Sequence, residues 1–187
     1  MCAAPGGKSV NAALKAVESA YANIKDIPDD GVEENIIKSI TGRVISRDVS
    51  DYKVSLIDDN IERLGISNID VQVYNALDKD DSLVGKADIV IADLPCSGLG
   101  IMGRKPEKIS DIIRLQRDIL EVVSMYVKPG GTLVYSTCTI NRSENEDNAD
   151  WICTSLGFTR DGEYVQMLPS PDKDNDGFFV ARLIKNS

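Results

Sequence analysis

Asp88-Ile89-Val90-Ile91-Ala92-Asp93-Leu94-Pro95-Cys96-Ser97-Gly98 decides the fold. Asp88 to Ala92 reads as a buried apolar strand, and Pro95 and Gly98 stop it. Thr132-Leu133-Val134-Tyr135-Ser136-Thr137-Cys138-Thr139 repeats the plan: an apolar strand to Ser136, then a cysteine. Between them, Ile109 to Val127 carries Ile112, Leu115, Ile119, Leu120, Val123 and Tyr126 at helical spacing. Strand, helix and strand in this order make the unit of a parallel sheet. Both cysteines then stand at the carboxyl edge of the strands, where an open α/β sheet places its chemistry.

Outward from this unit the alternation continues. Ser9 to Ile24 carries Val10, Leu14, Val17, Tyr21 and Ile24 and reads as an amphipathic helix. Lys25 to Thr41 is an acidic loop with one helical turn at Ile36 and Ile37. Arg43 to Ser46 is a β-branched run leading to Asp48. Ser50 caps a helix bearing Leu56, Asn60, Ile61 and Leu64, which Gly65 ends. Ile69 to Val73 alternates as a strand, and Pro129-Gly130-Gly131 turns the chain into Thr132. Ser143 to Leu156 is a helix with Gly157 as its cap, and Gly177 to Ile184 is a closing strand. The expected architecture is one domain over residues 1–187: a mainly parallel sheet with helices on both faces.

Composition bounds the chemistry. The chain has 187 residues, four cysteines, no histidine and a net charge of −9. No apolar run approaches the roughly 20 residues of a membrane span. Without a charged-then-apolar leader, the thiols are expected reduced in a cytoplasm. Zinc is disfavoured, since the cysteines are widely spaced and histidine is absent. The acidic runs 26–34, 78–81, 144–150 and 172–176 read as solvated loops and helix faces. A short basic stretch, Arg104-Lys105-Pro106-Glu107-Lys108, stands just beyond the Cys96 loop, followed by Arg114 and Arg117.

Cys2-Ala3-Ala4-Pro5-Gly6-Gly7-Lys8-Ser9 opens the first helix. Small residues let backbone approach a ligand closely, and a helix N-terminus favours anionic groups. A phosphate-binding P-loop also ends in Gly-Lys-Ser, but it needs a glycine where this chain has Cys2.

These stretches together resemble the RsmB/Sun (Fmu) family of RNA cytosine-5 methyltransferases, over essentially the whole chain and in order. The matching motifs are Cys2 to Lys8, Asp93 to Gly98, Arg104 to Glu107, Tyr135 to Thr139 with Glu144-Asn145-Glu146, and Leu168-Pro169 with Asp176 to Phe179. The resemblance implies a Rossmann-like methyltransferase fold that binds S-adenosyl-L-methionine. On that basis Cys2, Ala3, Ala4, Pro5, Gly6, Gly7 and Lys8 wrap the methionine moiety, and Asp48 meets the ribose. Asn75 lies near adenine where the family has an aspartate, and Asp93 faces both cofactor and base. The implied reaction is methylation of carbon 5 of cytosine in ribosomal RNA of the 16S type, through a covalent cysteine–cytosine adduct. Transfer RNA is the alternative substrate, and an inactive remnant serving as a binding module is the alternative function.

The chemistry accounts for the residue types. Carbon 5 of cytosine is a poor nucleophile until a thiolate adds at carbon 6. A free thiol, with a pKa of about 8.5, is only a few per cent ionised at pH 7, so the site must favour the anion. The resemblance assigns attack to Cys138, release to Cys96, ring-nitrogen protonation to Asp93 and local positive charge to Lys8. Cys153, inside an apolar helix, is read as a small core residue.

Met1 falls inside the cofactor motif. The family enters this motif from a central strand and carries an N-terminal RNA-binding region, so the chain is expected to be the catalytic domain truncated at its N-terminus. Loss of that strand leaves two inner sheet edges without partners. The segment Ile109 to Gln116 is also shorter than the family's spacing.

Overall fold

The structure is a computed structural model that describes residues 2–22, 42–101, 108–170, 172 and 175–187, without the side chains of 20–22. The expected turn at Ile36 and Ile37 and the stretch Arg104–Glu107 lie outside the described residues. The chain forms two compact units, Ala3–Asn75 and Ala76–Ser187, with Cys2 belonging to the second.

The first unit contains α1 (Gly7–Ala22), β1 (Val44–Asp48), α2 (Asp51–Leu64) and β2 (Ile69–Val73). β1 and β2 pair in parallel, from Val44↔Ile69 to Asp48↔Val73. α2 has the termini its sequence specifies. Ser50 Oγ accepts from the Lys53 N–H at 3.4 Å, and Gly65 takes the left-handed conformation, φ 64°, that ends the helix. Helix phase was less legible. Leu14 and Leu64, expected inward, are exposed, while Ala13 and Ile57 are fully buried. α1 turns its small residues inward, and Ser9 Oγ meets Ser46 Oγ of β1 at 2.8 Å. Short side chains on that face let helix and strand approach closely.

The second unit contains β3 (Ala87–Asp93), α3 (Ile109–Ser124), β4 (Val127–Thr137) and α4 (Glu146–Ser155). β5 (Phe158–Arg160), β6 (Val165–Met167) and β7 (Phe178–Lys185) complete it. Its sheet runs β3-β4-β7-β5, with β6 also on β7. β3 and β4 are parallel, whereas β7 is antiparallel to β4, β5 and β6. The parallel pairings are those bridged by a helix, α2 or α3. The sheet is more mixed than the sequence implied because no α-helix stands between β5, β6 and β7 among the described residues, so they return antiparallel. β1–β2 and β3–β7 form separate ladders, and among the described residues β1 pairs only with β2 and β3 only with β4.

One face of the larger sheet makes the core. Leu120, Val123, Leu133, Tyr135, Ile152, Phe179 and Leu183 have no exposed surface. Burial of each large apolar side chain stabilises by about 1.5–3 kcal/mol. Leu133 faces Leu183 and Tyr135 faces Ala181 across the β4–β7 pairing, so alternate residues feed one layer. α3 ends at Ser124, before the expected Val127, and its inner row holds Gln116 where Leu115 was expected; Leu115 is 37% exposed. Pro129-Gly130-Gly131 is absorbed into β4 at the register shift between Ala87 and Ile89. A Cβ at Gly131 would lie 2.9 Å from the Lys128 carbonyl oxygen, so only glycine fits without a shift. Cys153 is half-buried against this core, and burial pushes its thiol pKa up.

Candidate active site

β3 and β4 pair with Asp93 opposite Ser136, so their carboxyl ends are level. Cys96 lies three residues past Asp93 and Cys138 two past Ser136. The pairing brings the two sulfurs to 2.9 Å, with both thiols free. Cys96 is buried and Cys138 half-buried. Ser136 Oγ donates to Asp93 Oδ1 at 2.6 Å, which fixes the carboxylate at the same sheet edge. The Leu94 N–H donates to the Ser136 carbonyl at 3.0 Å and the Gly100 N–H to the Cys138 carbonyl at 3.2 Å. The Gly177 N–H donates to the Gly100 carbonyl at 2.8 Å, so three loops are laced together behind the sulfurs.

The two thiols are electrostatically unequal. The Cys96 thiol is pushed far above the ordinary range, first by its hydrogen bond to Cys138, then by burial, then by the Cys138 charge. A hydrogen-bonded pair of acids in a low-dielectric site gives up its first proton more readily than its second. The pair therefore favours a single anion, with the remaining proton shared between the two sulfurs.

Next to the two cysteines lies a buried polar network whose members Glu144 and Asn145 the sequence marked as a motif without indicating their burial. Glu144, Asn145 and Asn148 have no exposed surface, contrary to the solvated face expected of residues 144–150. They are buried because each is matched by hydrogen bonds. Glu144 accepts from the Ser97 N–H at 2.9 Å and from Ser97 Oγ at 2.5 Å. Asn145 Nδ2 donates to the Thr139 carbonyl at 2.9 Å, and Thr137 Oγ1 donates to Asn145 Oδ1 at 2.6 Å. Asn148 Nδ2 donates to Gln116 Oε1 at 2.8 Å, and Tyr135 Oη donates to the Glu144 carbonyl. The available signal was Glu144-Asn145 standing five residues beyond Thr139, with Gln116 on an otherwise apolar helix row.

The other expected residues gather in the first unit. The Ala4 N–H donates to Asp48 Oδ2 at 3.0 Å, and the Ala3 N–H to the Arg47 carbonyl at 3.1 Å. Asp48 is buried at the end of β1 and also accepts from the Val49 N–H at 2.8 Å, with Lys53 Nζ at 3.3 Å. Asn60 Nδ2 holds the Pro5 carbonyl at 2.9 Å. Gly6 has φ +101°, and a Cβ there would press on Ile57 Cγ2 at 3.1 Å. Gly7 has nothing within 4 Å of its Cβ position. Lys8 is exposed in the first turn of α1, and Asn75 is exposed two residues past β2. Cys2 packs against the core of the second unit. The structure thus brings together Cys96, Cys138 and Asp93 in one unit, and Ala3–Lys8 with Asp48 in the other. Among the described residues no cluster of three or more His, Cys, Asp or Glu could hold a metal ion. No helix among them is long and apolar enough to cross a membrane.

Residues 34–184 match the family model described as 16S rRNA methyltransferase RsmB/F. The chain belongs to this family. It is 31% identical over 173 residues to the ribosomal RNA small subunit methyltransferase F of Shewanella loihica, covering 77% of this chain and 35% of that one. The protein of the same name from Salmonella paratyphi A is 32% identical over 175 residues, 78% of this chain and 36% of its own. The chain therefore spans about a third of the length of the curated relatives it matches. Among solved structures, NSun6 from Pyrococcus horikoshii, crystallised with SFG, superposes with a TM-score of 0.73 at 25% identity, over all of this chain and 47% of that one. As a member of the RsmB/F family the chain has the fold that its motifs implied.

Proposed function

We propose that this protein methylates carbon 5 of a cytosine in small-subunit ribosomal RNA, with S-adenosyl-L-methionine as methyl donor and Cys138 as covalent nucleophile. The observation that carries the reading is the pair of sulfurs 2.9 Å apart at the level ends of β3 and β4. Sharing the Cys96 proton stabilises a thiolate at Cys138, which adds to carbon 6 of the cytosine. Asp93, held by Ser136, supports proton delivery to the ring nitrogen, so that carbon 5 gains enamine character. Once the Cys138 sulfur is bonded to carbon, it no longer carries the charge or accepts the hydrogen bond that raise the Cys96 pKa. Once carbon 5 has gained the methyl group, Cys96 gives its proton to solvent and its thiolate takes the carbon 5 proton; the ring nitrogen then returns its proton to Asp93, the carbon 5–carbon 6 double bond reforms, and the carbon–sulfur bonding pair leaves with Cys138 as thiolate.

The first unit fits the donor molecule. Gly7 leaves open space at the start of α1, where backbone N–H groups favour a carboxylate. Asp48 places a carboxylate at the end of β1, the usual position for ribose contact. Residues Cys2 to Gly7 are assigned the methionine moiety, Lys8 the positive charge of that cradle, Asn75 the adenine, and Asp93 the side facing the base. The donor supplies an electrophilic methyl group when bound. The names of the relatives support ribosomal over transfer RNA, and the reduced thiols suit the cytoplasm.

Incubation with labelled donor and either small-subunit ribosomal RNA or transfer RNA, followed by nucleoside analysis, tests the reading. Label in 5-methylcytidine from ribosomal RNA is expected. Label at another position, or in transfer RNA alone, overturns it.

A further inference from the structure

Glu144 is fully buried, yet the roles above do not use it. Its carboxylate accepts from the Ser97 N–H at 2.9 Å, Ser97 Oγ at 2.5 Å, Gln116 Nε2 at 3.2 Å, Asn141 Nδ2 at 3.2 Å and Thr139 Oγ1 at 3.5 Å. Every partner is a donor, so the group serves solely as an acceptor. Ser97 is the residue after Cys96, and Thr139 is the residue after Cys138. Ser97 Oγ spends its one proton on the carboxylate, so Thr139 Oγ1 donates chiefly to Ser97 Oγ at 3.0 Å, and its 3.5 Å contact with Glu144 is the longer of the two. One carboxylate thus grips the chain next to both thiols. Gln116 ties the same carboxylate to the Pro95 carbonyl at 2.9 Å, on the other side of Cys96.

We propose that Glu144 is a positioning residue that sets the Cys96–Cys138 separation by clamping Ser97, and through the Ser97 hydroxyl Thr139, to a single carboxylate. The inference rests on the proposed use of both thiols in one reaction. It deepens that reading by naming what holds them in register. The clamp joins two loops that leave different strands and are separated by a whole helix in sequence. The β3–β4 ladder stops at Asp93 and Ser136, and beyond it the Glu144 carboxylate adds side-chain bonds to the backbone bonds from Leu94 and Gly100. A buried carboxyl group suits this because its two oxygens can accept from several segments at once.

The test reads sulfur geometry directly. Phenylarsine oxide joins two neighbouring thiols, forming two As–S bonds with loss of one water and no change of oxidation state. The protein should bind one equivalent, and Cys96→Ala and Cys138→Ala should each abolish this binding. Glu144→Gln keeps the shape but turns an acceptor into a donor facing donors. It should weaken arsenical binding about tenfold and slow methyl transfer at least as much, with KM for RNA unchanged. Asn148→Ala, which disturbs the network without touching Ser97 or Thr139, should leave arsenical binding within about twofold. Should Glu144→Gln not fold, Ser97→Ala and Thr139→Ala decide the matter, each expected to cost about threefold. Wild-type arsenical binding in Glu144→Gln, or equal losses in Asn148→Ala, overturns the clamp. Arsenical capture needs neither RNA nor methyl donor. A clamp that passes this assay in a protein that methylates no RNA therefore separates failure of the functional reading from failure of the inference.

Discussion

Gly100→Ala is the sharpest single perturbation of the site. A Cβ at this position would lie 2.8 Å from the Cys138 carbonyl oxygen, 2.8 Å from the Gly177 carbonyl oxygen and 3.0 Å from Gly177 Cα. All three are backbone atoms, so no side chain can swing aside. Ordinary contact begins at 3.4 Å, so the loops must part by roughly 0.6 Å. Gly100 has no positive φ, so the collision is the whole effect. Overpacking of this kind costs about 1–3 kcal/mol. At about 2–4 °C per kcal/mol, the melting temperature should fall by roughly 2–12 °C. The functional effect should be separable. The displaced carbonyl belongs to Cys138, and a misplacement of about 1 Å at a reacting group costs on the order of a hundredfold, so about tenfold is expected here. Adduct formation with 5-fluorocytosine RNA, followed by denaturing electrophoresis at a temperature well below the transition, measures it. A variant that melts within a degree of wild type and forms adduct at the wild-type rate would refute the packing argument.

Other expectations follow from the same geometry. Cys96 has its pKa raised in the folded protein, so its contribution to stability is full below about pH 9, the ordinary thiol value, and is lost as pH rises beyond it. Cys96→Ala should therefore flatten the decline in melting temperature between pH 8 and 10; an unchanged slope contradicts this. Tyr135→Phe deletes a buried hydrogen bond to the Glu144 carbonyl and should cost about 1–3 kcal/mol in denaturant unfolding. Asp48→Ala leaves the Ala4 and Val49 N–H groups without their carboxylate, and titration calorimetry should show donor binding weakened about tenfold or more. Unaltered affinity would remove Asp48 from the cofactor side.

The elements that sequence revealed are those whose local signals agree. Ser50 and Gly65 bracket α2 because a side-chain cap and a left-handed glycine act without tertiary help. β3 and β4 were legible from apolar runs followed by cysteine, although Ile89 of β3 turned out 62% exposed. Leu115 and Gln116 were exchanged because periodicity assumes that the inner row is apolar, whereas Gln116 is buried through its bonds to the Pro95 carbonyl, Glu144 and Asn148. Glu144-Asn145-Glu146 stood out as a motif, but the burial of Glu144 did not, because in a run of acids nothing local distinguishes the one whose donors come from three other segments. β5 and β6, at three residues each, are too short to show a period and exist only because β7 offers them a ladder. The two cysteines were placed correctly at the sheet edge, but their separation and the raised pKa of the Cys96 thiol are products of tertiary structure.

The central claim is that Cys138 attacks the base while Cys96 holds its proton. Peptide mass spectrometry of the protein after reaction with methyl donor and 5-fluorocytosine RNA tests it most directly. The nucleotide should be found bonded to the Cys138 sulfur, and Cys138→Ala should give no adduct. Attachment at Cys96, or an adduct that survives Cys138→Ala, would contradict the account.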